Sequence, residues 1–218
     1  GTSRDGVDAV LVNFTESTMD MLHASCTPYP TAIKLTLKQL LETGKAPDKA
    51  IAGLLDENLG RFFARVAQNL VSEAGMEMRD VYAIGSHGQN VWHQPQGEHP
   101  VSLQLGNGRL MAKNTATTVV NNFRTADINA GGQGAPLAPL LHRHLFHSAD
   151  ENRAIVNIGG ISNLTLLPSN GQATGFDCGP GNCLMDAWTQ RFLNKAYDND
   201  GEWARKGNVV TALLESLL

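Results

Sequence analysis

Residues 175–188 read GFDCGPGNCLMDAW, and this stretch joins a short apolar segment to the start of an amphipathic helix. Asp177 ends this apolar segment, and a Gly-Pro-Gly turn follows it. We expect the helical segment to place Leu184, Met185 and Trp188 on a stripe that faces inward. Glycines let the backbone approach a ligand closely, and unpaired amides at a helix start favour negative charge. We therefore expect Asp177 at the mouth of a cleft, facing phosphate or a polar substrate. The alternative is a plain strand-to-helix connection in which Asp177 caps the helix.

The composition is that of a globular protein. The chain has 218 residues, of which 42% are hydrophobic, so that it can bury a sizeable core. A formal net charge of −4 and the lack of any run of Lys or Arg argue against a nucleic-acid partner. No apolar run approaches the roughly 20 residues of a membrane span, and the first residues do not resemble a signal peptide. We therefore expect a cytoplasmic protein without a membrane partner.

The three cysteines suggest neither a disulfide framework nor a zinc site. Cys26, Cys178 and Cys183 are an odd number and lack metal-ligand spacing. We expect all three to be buried thiols.

Apolar periodicity predicts strands that alternate with helices. The predicted strands cover residues 7–14, 19–28, 81–84, 101–105, 117–120, 154–158 and 163–167. The predicted helices cover residues 31–43, a long segment from Pro47 to Gly75, and shorter segments around 110–113, 137–145, 182–193 and 209–218. This alternation indicates an α/β fold with a mixed sheet.

Polar, glycine-bearing turns repeatedly follow these strands. Ligands of open α/β sheets gather at the carboxyl ends of strands, so the turns are candidate binding elements. The first turn offers the amides and hydroxyls of Gly1, Thr2 and Ser3 to phosphate, and Asp5 and Asp8 could hold a hydrated Mg²⁺. A surface β-turn is the alternative. The P-loop pattern is absent from the sequence.

Two further turns carry candidate substrate-binding side chains. His87 and Gln89 follow the strand over 81–84, where they could contact sugar hydroxyls or amides, or simply be solvated. Arg124 follows a later strand and could pair with a substrate carboxylate. The alternative for Arg124 is a surface ion pair with Asp127, which would contribute little to stability.

Five turns, taken in order, closely resemble the anhydro-N-acetylmuramic acid kinase family. They are GTSRDGVD at 1–8, GSHGQ at 85–89, GGQGAP at 131–136, NIGGISN at 157–163 and GFDCGPGN at 175–182. The resemblance implies an actin-like, sugar-kinase-like ATPase architecture, in which ribonuclease-H-like lobes have a mixed sheet flanked by helices. Residues 1–135 would be the first lobe without its first strand, and residues 136–218 the truncated start of the second.

The resemblance also implies an activity and a set of site residues. Such kinases use ATP, Mg²⁺ and water to open the 1,6-anhydro ring of their amino-sugar substrate and to phosphorylate O6 during peptidoglycan recycling, and a homodimer is implied. Asp177 would be the catalytic base. The phosphate-binding residues would be Gly1, Thr2, Ser3, Arg4, Asp5, Gly6, Val7 and Asp8 in the first turn and Gly159 and Gly160 in the second, with Asp5 and Asp8 facing the metal. The sugar would meet His87, Gln89, Arg124 and Asp127.

One departure from the family pattern concerns the substrate carboxylate. The family's Asp-Phe-Arg-Arg-Arg-Asp run reads NFRTAD at residues 122–127, so Thr125 and Ala126 stand where arginines are usual. We also expect the missing strand and the rest of the second lobe to lie outside this sequence, and the chain by itself to bind ATP poorly and to be inactive. Two alternatives stay open, namely another actin-like sugar or acyl phosphotransferase and a non-catalytic nucleotide-binding module.

Overall fold

A computed structural model describes residues 6–16 and 18–217 of the chain. These residues form nine strands and seven α-helices, which confirms the predicted α/β class. They divide into two compact units, with the boundary between Leu137 and Ala138. None of the described helices is both long and apolar enough to cross a membrane.

The first unit contains six strands and four α-helices within its described residues. They are β1 (Gly6–Phe14), β2 (Met19–Pro28), α1 (Thr31–Glu42), α2 (Lys49–Glu73), β3 (Ala83–Ser86), β4 (Gln89–Gln94), β5 (Val101–Leu105), α3 (Gly108–Thr115), β6 (Thr118–Asn121) and α4 (Phe123–Asn129). Strands β1 and β2 form an antiparallel pair, as do β4 and β5, whereas β3 and β6 pair in parallel.

The second unit contains three strands and three α-helices within its described residues. They are α5 (Ala138–Phe146), β7 (Arg153–Ile158), β8 (Ile161–Leu167), β9 (Thr174–Pro180), α6 (Asn182–Leu193) and α7 (Thr211–Leu217). The three strands form one antiparallel sheet in the order β7-β8-β9. Parallel and antiparallel pairing therefore both occur in the described chain, but in four separate small sheets.

Helix α2 supplies most of the core of the first unit. Its apolar residues recur at steps of three and four and are buried, among them Leu55, Leu59, Phe62 and Val66. Asp48 is the N-cap residue of this helix, and its carboxylate accepts hydrogen bonds from the amides of Ala50 and Ile51. The predicted start at Pro47 is therefore close to the observed one.

Four local predictions are wrong. Leu184, Met185 and Trp188, predicted to face inward, are each more than half exposed. Helix α4 stands where the sequence predicts a polar turn. Its seven residues bury only Ile128, so the sequence shows no apolar period there. Strand β9 runs through Asp177 to Pro180, because β8 offers backbone partners along that whole length and Pro180 ends the edge strand. The three cysteines expected in the core are exposed.

Candidate functional site

A cleft opens in the first unit at the carboxyl ends of β3 and β6. Ser86 and Asn121 are the last residues of these parallel strands, and they lie opposite each other in the register. The cleft has a volume of about 300 Å³. Its lining includes side chains from the turns after both strands and from β5: Ser86, His87, Asn121, Asn122, Thr125 and Gln104. Ligands of α/β proteins bind at this end of parallel strands, so the cleft is a candidate binding site.

The structure brings two of the predicted substrate residues together: His87, which lines this cleft, and Arg124, which contacts His87 from helix α4. Arg124 Nε donates a hydrogen bond to His87 Nε2 at 3.1 Å, although the two residues are 37 positions apart in the chain. His87 Nδ1 lies 2.8 Å from the Gly88 carbonyl oxygen. Since a guanidinium can only donate and a carbonyl can only accept, His87 must carry its proton on Nδ1 and be neutral.

The local electrostatics favour that neutral state. Partial burial lowers the pKa of His87, the hydrogen bond to Gly88 opposes this shift, and the nearby charge of Arg124 lowers the pKa further. Burial also lowers the pKa of Arg124, which nevertheless stays charged at any physiological pH. The pKa of His93 is lowered by burial and then by Arg124. Arg124 is therefore a partly desolvated cation beside two neutral imidazoles.

Asp127 does not neutralise Arg124, so the alternative of a surface ion pair is wrong for the described chain. The Asp127 carboxylate accepts a hydrogen bond from the Gly134 amide at 2.7 Å. It also packs against Gly132, where an added Cβ would collide with the carboxylate. Asp127 thus holds the glycine-rich turn over residues 131–134, and its contact with the sugar stays a prediction.

Gln89 is buried, with 4% of its surface exposed. Its Oε1 accepts a hydrogen bond from the Tyr29 hydroxyl at 3.0 Å, and its Nε2 donates to the Asn90 carbonyl at 3.1 Å. Burial, with a smaller contribution from the Asp8 carboxylate, raises the pKa of Tyr29 to about 12, so the phenol keeps the proton that it donates. Both ends of the Gln89 amide are therefore engaged within the protein, and its contact with the sugar also stays a prediction.

A polar network beside the cleft was missed in the sequence. Gln104 Nε2 donates to Asn90 Oδ1 at 2.8 Å and to Ser102 Oγ at 2.6 Å, and Ser102 Oγ lies 2.9 Å from His93 Nδ1. Ser102 pairs with His93 and Gln104 pairs with Asn90 across the β4–β5 ladder. The available signal was the spacing of two between Ser102 and Gln104, which places both on one face of a strand.

The first predicted phosphate turn is only partly described. Gly1, Thr2, Ser3, Arg4 and Asp5 lie outside the described residues, whereas Gly6, Val7 and Asp8 belong to strand β1. Gly6 packs so closely on the Thr27 carbonyl that a Cβ would collide with it. Hairpin packing therefore accounts for this glycine. Within the described ranges, no group of three or more His, Cys, Asp or Glu side chains could hold a metal ion.

In the second unit, Asp177 and the Gly159-Gly160 turn lie at the same end of one sheet. The turn joins β7 to β8, and Asp177 pairs with Asn163, near the start of β8. Strands β7 and β9 both run antiparallel to β8, so their carboxyl ends lie at the same end of the sheet. The two predicted site elements of this unit therefore lie close to each other at one end of the sheet.

The Asp177 side chain has no structural task in the described part of the chain. It is exposed, and its carboxylate makes no hydrogen bond or ion pair with any residue in 6–16 or 18–217. Gly181 is the N-cap residue of α6, which has no side-chain cap. The alternative in which Asp177 caps this helix is therefore wrong.

The amides at the start of α6 are paired, in contrast to the expectation of free donors there. The Gly160 carbonyl accepts from the amides of Gly181 at 2.9 Å and Cys183 at 3.2 Å, and the Gly159 carbonyl accepts from Asn182 at 2.7 Å. Only glycine fits at position 181, because a Cβ there would collide with the Gly159 carbonyl oxygen. The turn and the helix start thus form one rigid corner next to Asp177.

Comparison with known proteins identifies similar sequences. The family model described as anhydro-N-acetylmuramic acid kinase matches residues 1–218. A curated protein named anhydro-N-acetylmuramic acid kinase, from Nitrosomonas europaea, is 44% identical over 218 residues, which are 100% of this chain and 60% of that relative. The chain therefore spans about three-fifths of the length of this relative.

Proposed function

The chain belongs to the anhydro-N-acetylmuramic acid kinase family, and we propose that the protein phosphorylates O6 of anhydro-N-acetylmuramic acid while water opens the 1,6-anhydro ring. The product is N-acetylmuramic acid 6-phosphate. The family has the sugar-kinase-like ATPase fold, with which the mixed α/β architecture of the chain agrees. The observation that carries the proposal is the exposed carboxylate of Asp177, which has no partner in the described chain. It lies at the same end of the sheet as the Gly159-Gly160 turn.

Asp177 acts as the general base in this proposal. Its carboxylate takes a proton from the water that attacks the anomeric carbon, so that the bond between C1 and the water oxygen forms as the bond between C1 and O6 breaks. A carboxylate already committed to a cap or an ion pair could not accept this proton as readily. The exposure of Asp177 and the lack of a partner in the described chain support this role.

ATP with Mg²⁺ would supply the γ-phosphoryl group that O6 receives. The residues proposed to hold it are the first turn up to Asp8 and the Gly159-Gly160 turn. The rigid corner that Gly159 and Gly160 form with α6 would keep the phosphate side of the site fixed beside Asp177. Mg²⁺ usually keeps several waters and takes one or two carboxylates, which fits the exposed carboxylate of Asp8 together with Asp5.

The cleft of the first unit is the proposed sugar site. Arg124 brings a positive charge without a carboxylate partner in the described chain, and the lactyl carboxylate is the single anionic group of the sugar. Ser86, Asn121 and Asn122 line the cleft itself with groups that can bind hydroxyls. We further propose that the protein is cytoplasmic and acts in peptidoglycan recycling. It would form a homodimer and act without a nucleic-acid partner.

The test is the transfer of labelled γ-phosphate from ATP to anhydro-N-acetylmuramic acid by the full-length protein and by this chain in parallel. We expect the 6-phosphate from the full-length protein and none from the chain alone. Asp177→Asn should lower turnover by a factor of at least about 100 while sparing ATP binding. Asp150→Asn, which changes another exposed carboxylate of the second unit, is the matched control and should keep full activity.

The rival activities predict other outcomes of the same assay. Transfer to simple hexoses or to acyl acceptors, with none to the anhydro sugar, would identify a different phosphotransferase. Binding of ATP without transfer to any acceptor would identify a nucleotide-binding module.

A further inference from the structure

Arg124 has only one of its five donors engaged in the described structure. Its Nε–H is held by His87 Nε2, and neither Nη1 nor Nη2 has a hydrogen-bond partner within the described residues. The guanidinium is planar, so a hydrogen bond that holds the Nε–H restricts the directions in which the two terminal nitrogens can point. Two parallel N–H groups in one plane match the two oxygens of a carboxylate.

His87 is itself fixed by its surroundings. Its Nδ1–H donates to the Gly88 carbonyl, which orients the ring. Gly88 has a φ of +75° and lies so close to β5 that a Cβ would come within 2.8 Å of the Leu105 carbonyl oxygen. The turn that carries His87 is thus held against a strand of the core. Every partner that orients the imidazole belongs to the protein, and its one acceptor lone pair is used by Arg124.

From this geometry we propose that His87 is a positioning residue, which aims the Arg124 guanidinium at the lactyl carboxylate of the sugar. This inference rests on the proposed function, because it takes the anhydro sugar as the ligand. It differs from the expectation that His87 itself contacts the sugar. Its consequence is selectivity: the effect of His87 on binding should depend on whether the ligand carries a carboxylate.

The experiment compares two ligands and six proteins at full length. The ligands are anhydro-N-acetylmuramic acid and the anhydro sugar of N-acetylglucosamine, which lacks the lactyl group. The proteins are the wild type, His87→Ala, His87→Gln, Arg124→Ala, the double variant that combines His87→Ala with Arg124→Ala, and a control variant, with kcat and KM measured for both ligands. His99→Ala is the matched control, because His99 is an exposed histidine of the same unit with no partner in the described structure.

We expect His87→Ala to raise KM for the carboxylate-bearing sugar by about tenfold, as for loss of an oriented charge-assisted contact, with little change in kcat. For the sugar without the lactyl group, KM should change by less than about twofold, since the missing contact has no role there. His87→Gln should restore most of the loss, because its Oε1 can accept from Arg124 as Nε2 does. In the Arg124→Ala background, His87→Ala should add nothing further.

Two results would overturn the inference. One is an equal effect of His87→Ala on both sugars, which would mean that His87 touches the ring or the reacting atoms. The other is a Gln variant no better than the Ala variant. A wild type that phosphorylates neither sugar would instead refute the proposed function, so the two failures are distinguishable.

Discussion

Asp177 lies directly opposite Asn163 in the β8–β9 register, three residues beyond the Gly159-Gly160 turn along β8. This pairing places Asp177 at the end of the sheet where the proposed phosphate-binding turn lies. The backbone ladder thus positions the proposed base, while its side chain stays without a partner in the described chain.

Replacement of Asp177 should lower the activity of the protein but leave its stability unchanged. Asp177→Asn removes an exposed charge that pairs with nothing in the described chain, so the free energy of unfolding should change by less than about 0.5 kcal/mol. Urea unfolding of the two proteins checks this directly. A loss of several kcal/mol would show that the carboxylate has a structural role, and the loss of activity could then reflect misfolding.

Gly181 should be the critical glycine of the corner that joins β7, β8 and α6. Gly181→Ala places a methyl group against the Gly159 carbonyl oxygen and should cost about 1–3 kcal/mol of stability, as overpacking does. Gly159→Ala is the matched control, because a Cβ there meets nothing closer than 3.7 Å. Thermal unfolding should rank Gly181→Ala well below Gly159→Ala, and equal melting temperatures would contradict the described packing.

Asp56 should be important for the shape of the cleft in the first unit. Its Oδ1 accepts from the Gly106 amide and its Oδ2 from Asn107 Nδ2, both at 2.8 Å, so it clamps the turn after β5. Asp56→Ala should lower the free energy of unfolding by about 1–3 kcal/mol. Its neighbour Glu57 makes only an exposed pair with Arg61, so Glu57→Ala should cost less than about 0.5 kcal/mol. If urea unfolding gives both variants the same stability, the clamp contributes nothing.

Binding of the sugar should weaken at acid pH because of His87. Burial and the charge of Arg124 keep the pKa of His87 below 6.5, and protonation would turn Nε2 into a donor that faces the Arg124 donor. KM for the carboxylate-bearing sugar should therefore rise as pH falls through this lowered pKa. The unfolded chain binds the proton more readily, so stability should also fall as pH decreases below about 6.5.

His87→Gln separates this effect from the other titrating group near Arg124. The pKa of His93 is lowered by burial and by the same arginine, so His93 titrates in the same direction. A glutamine at position 87 cannot titrate, and the variant should show a flatter KM profile between pH 5 and 7. An unchanged profile in His87→Gln would assign the pH dependence to another group.

The long elements of the fold could be predicted from the sequence because their apolar periods are complete. Helix α2 has seven turns of regular apolar spacing, and β1 and β5 are apolar runs bounded by turn residues. Helix α4 and strand β9 could not be predicted in this way. The first is too short to show a period, and the second depends on pairing with β8, which overrides its local turn composition.

The candidate site was predicted in its parts but not in its connections. The sequence correctly places His87 and Arg124 soon after two different strands, although Arg124 lies in helix α4 and not in a turn. That Arg124 binds His87 and not Asp127 depends on the parallel pairing of β3 with β6, which brings residues 37 positions apart together. The sequence predicts that Gln89 faces the sugar or solvent, because nothing local to its turn reveals the buried Tyr29 hydroxyl that its amide meets.

The most direct test of the account is a single turnover in ¹⁸O-labelled water, quenched and analysed at once by mass spectrometry of the sugar phosphate. If the Asp177 carboxylate directs water to the anomeric carbon while O6 takes the phosphoryl group, the label enters the C1 hydroxyl and the phosphate carries none. A label in the phosphate, or a phosphorylated sugar that retains its anhydro ring and has no label, would contradict the account.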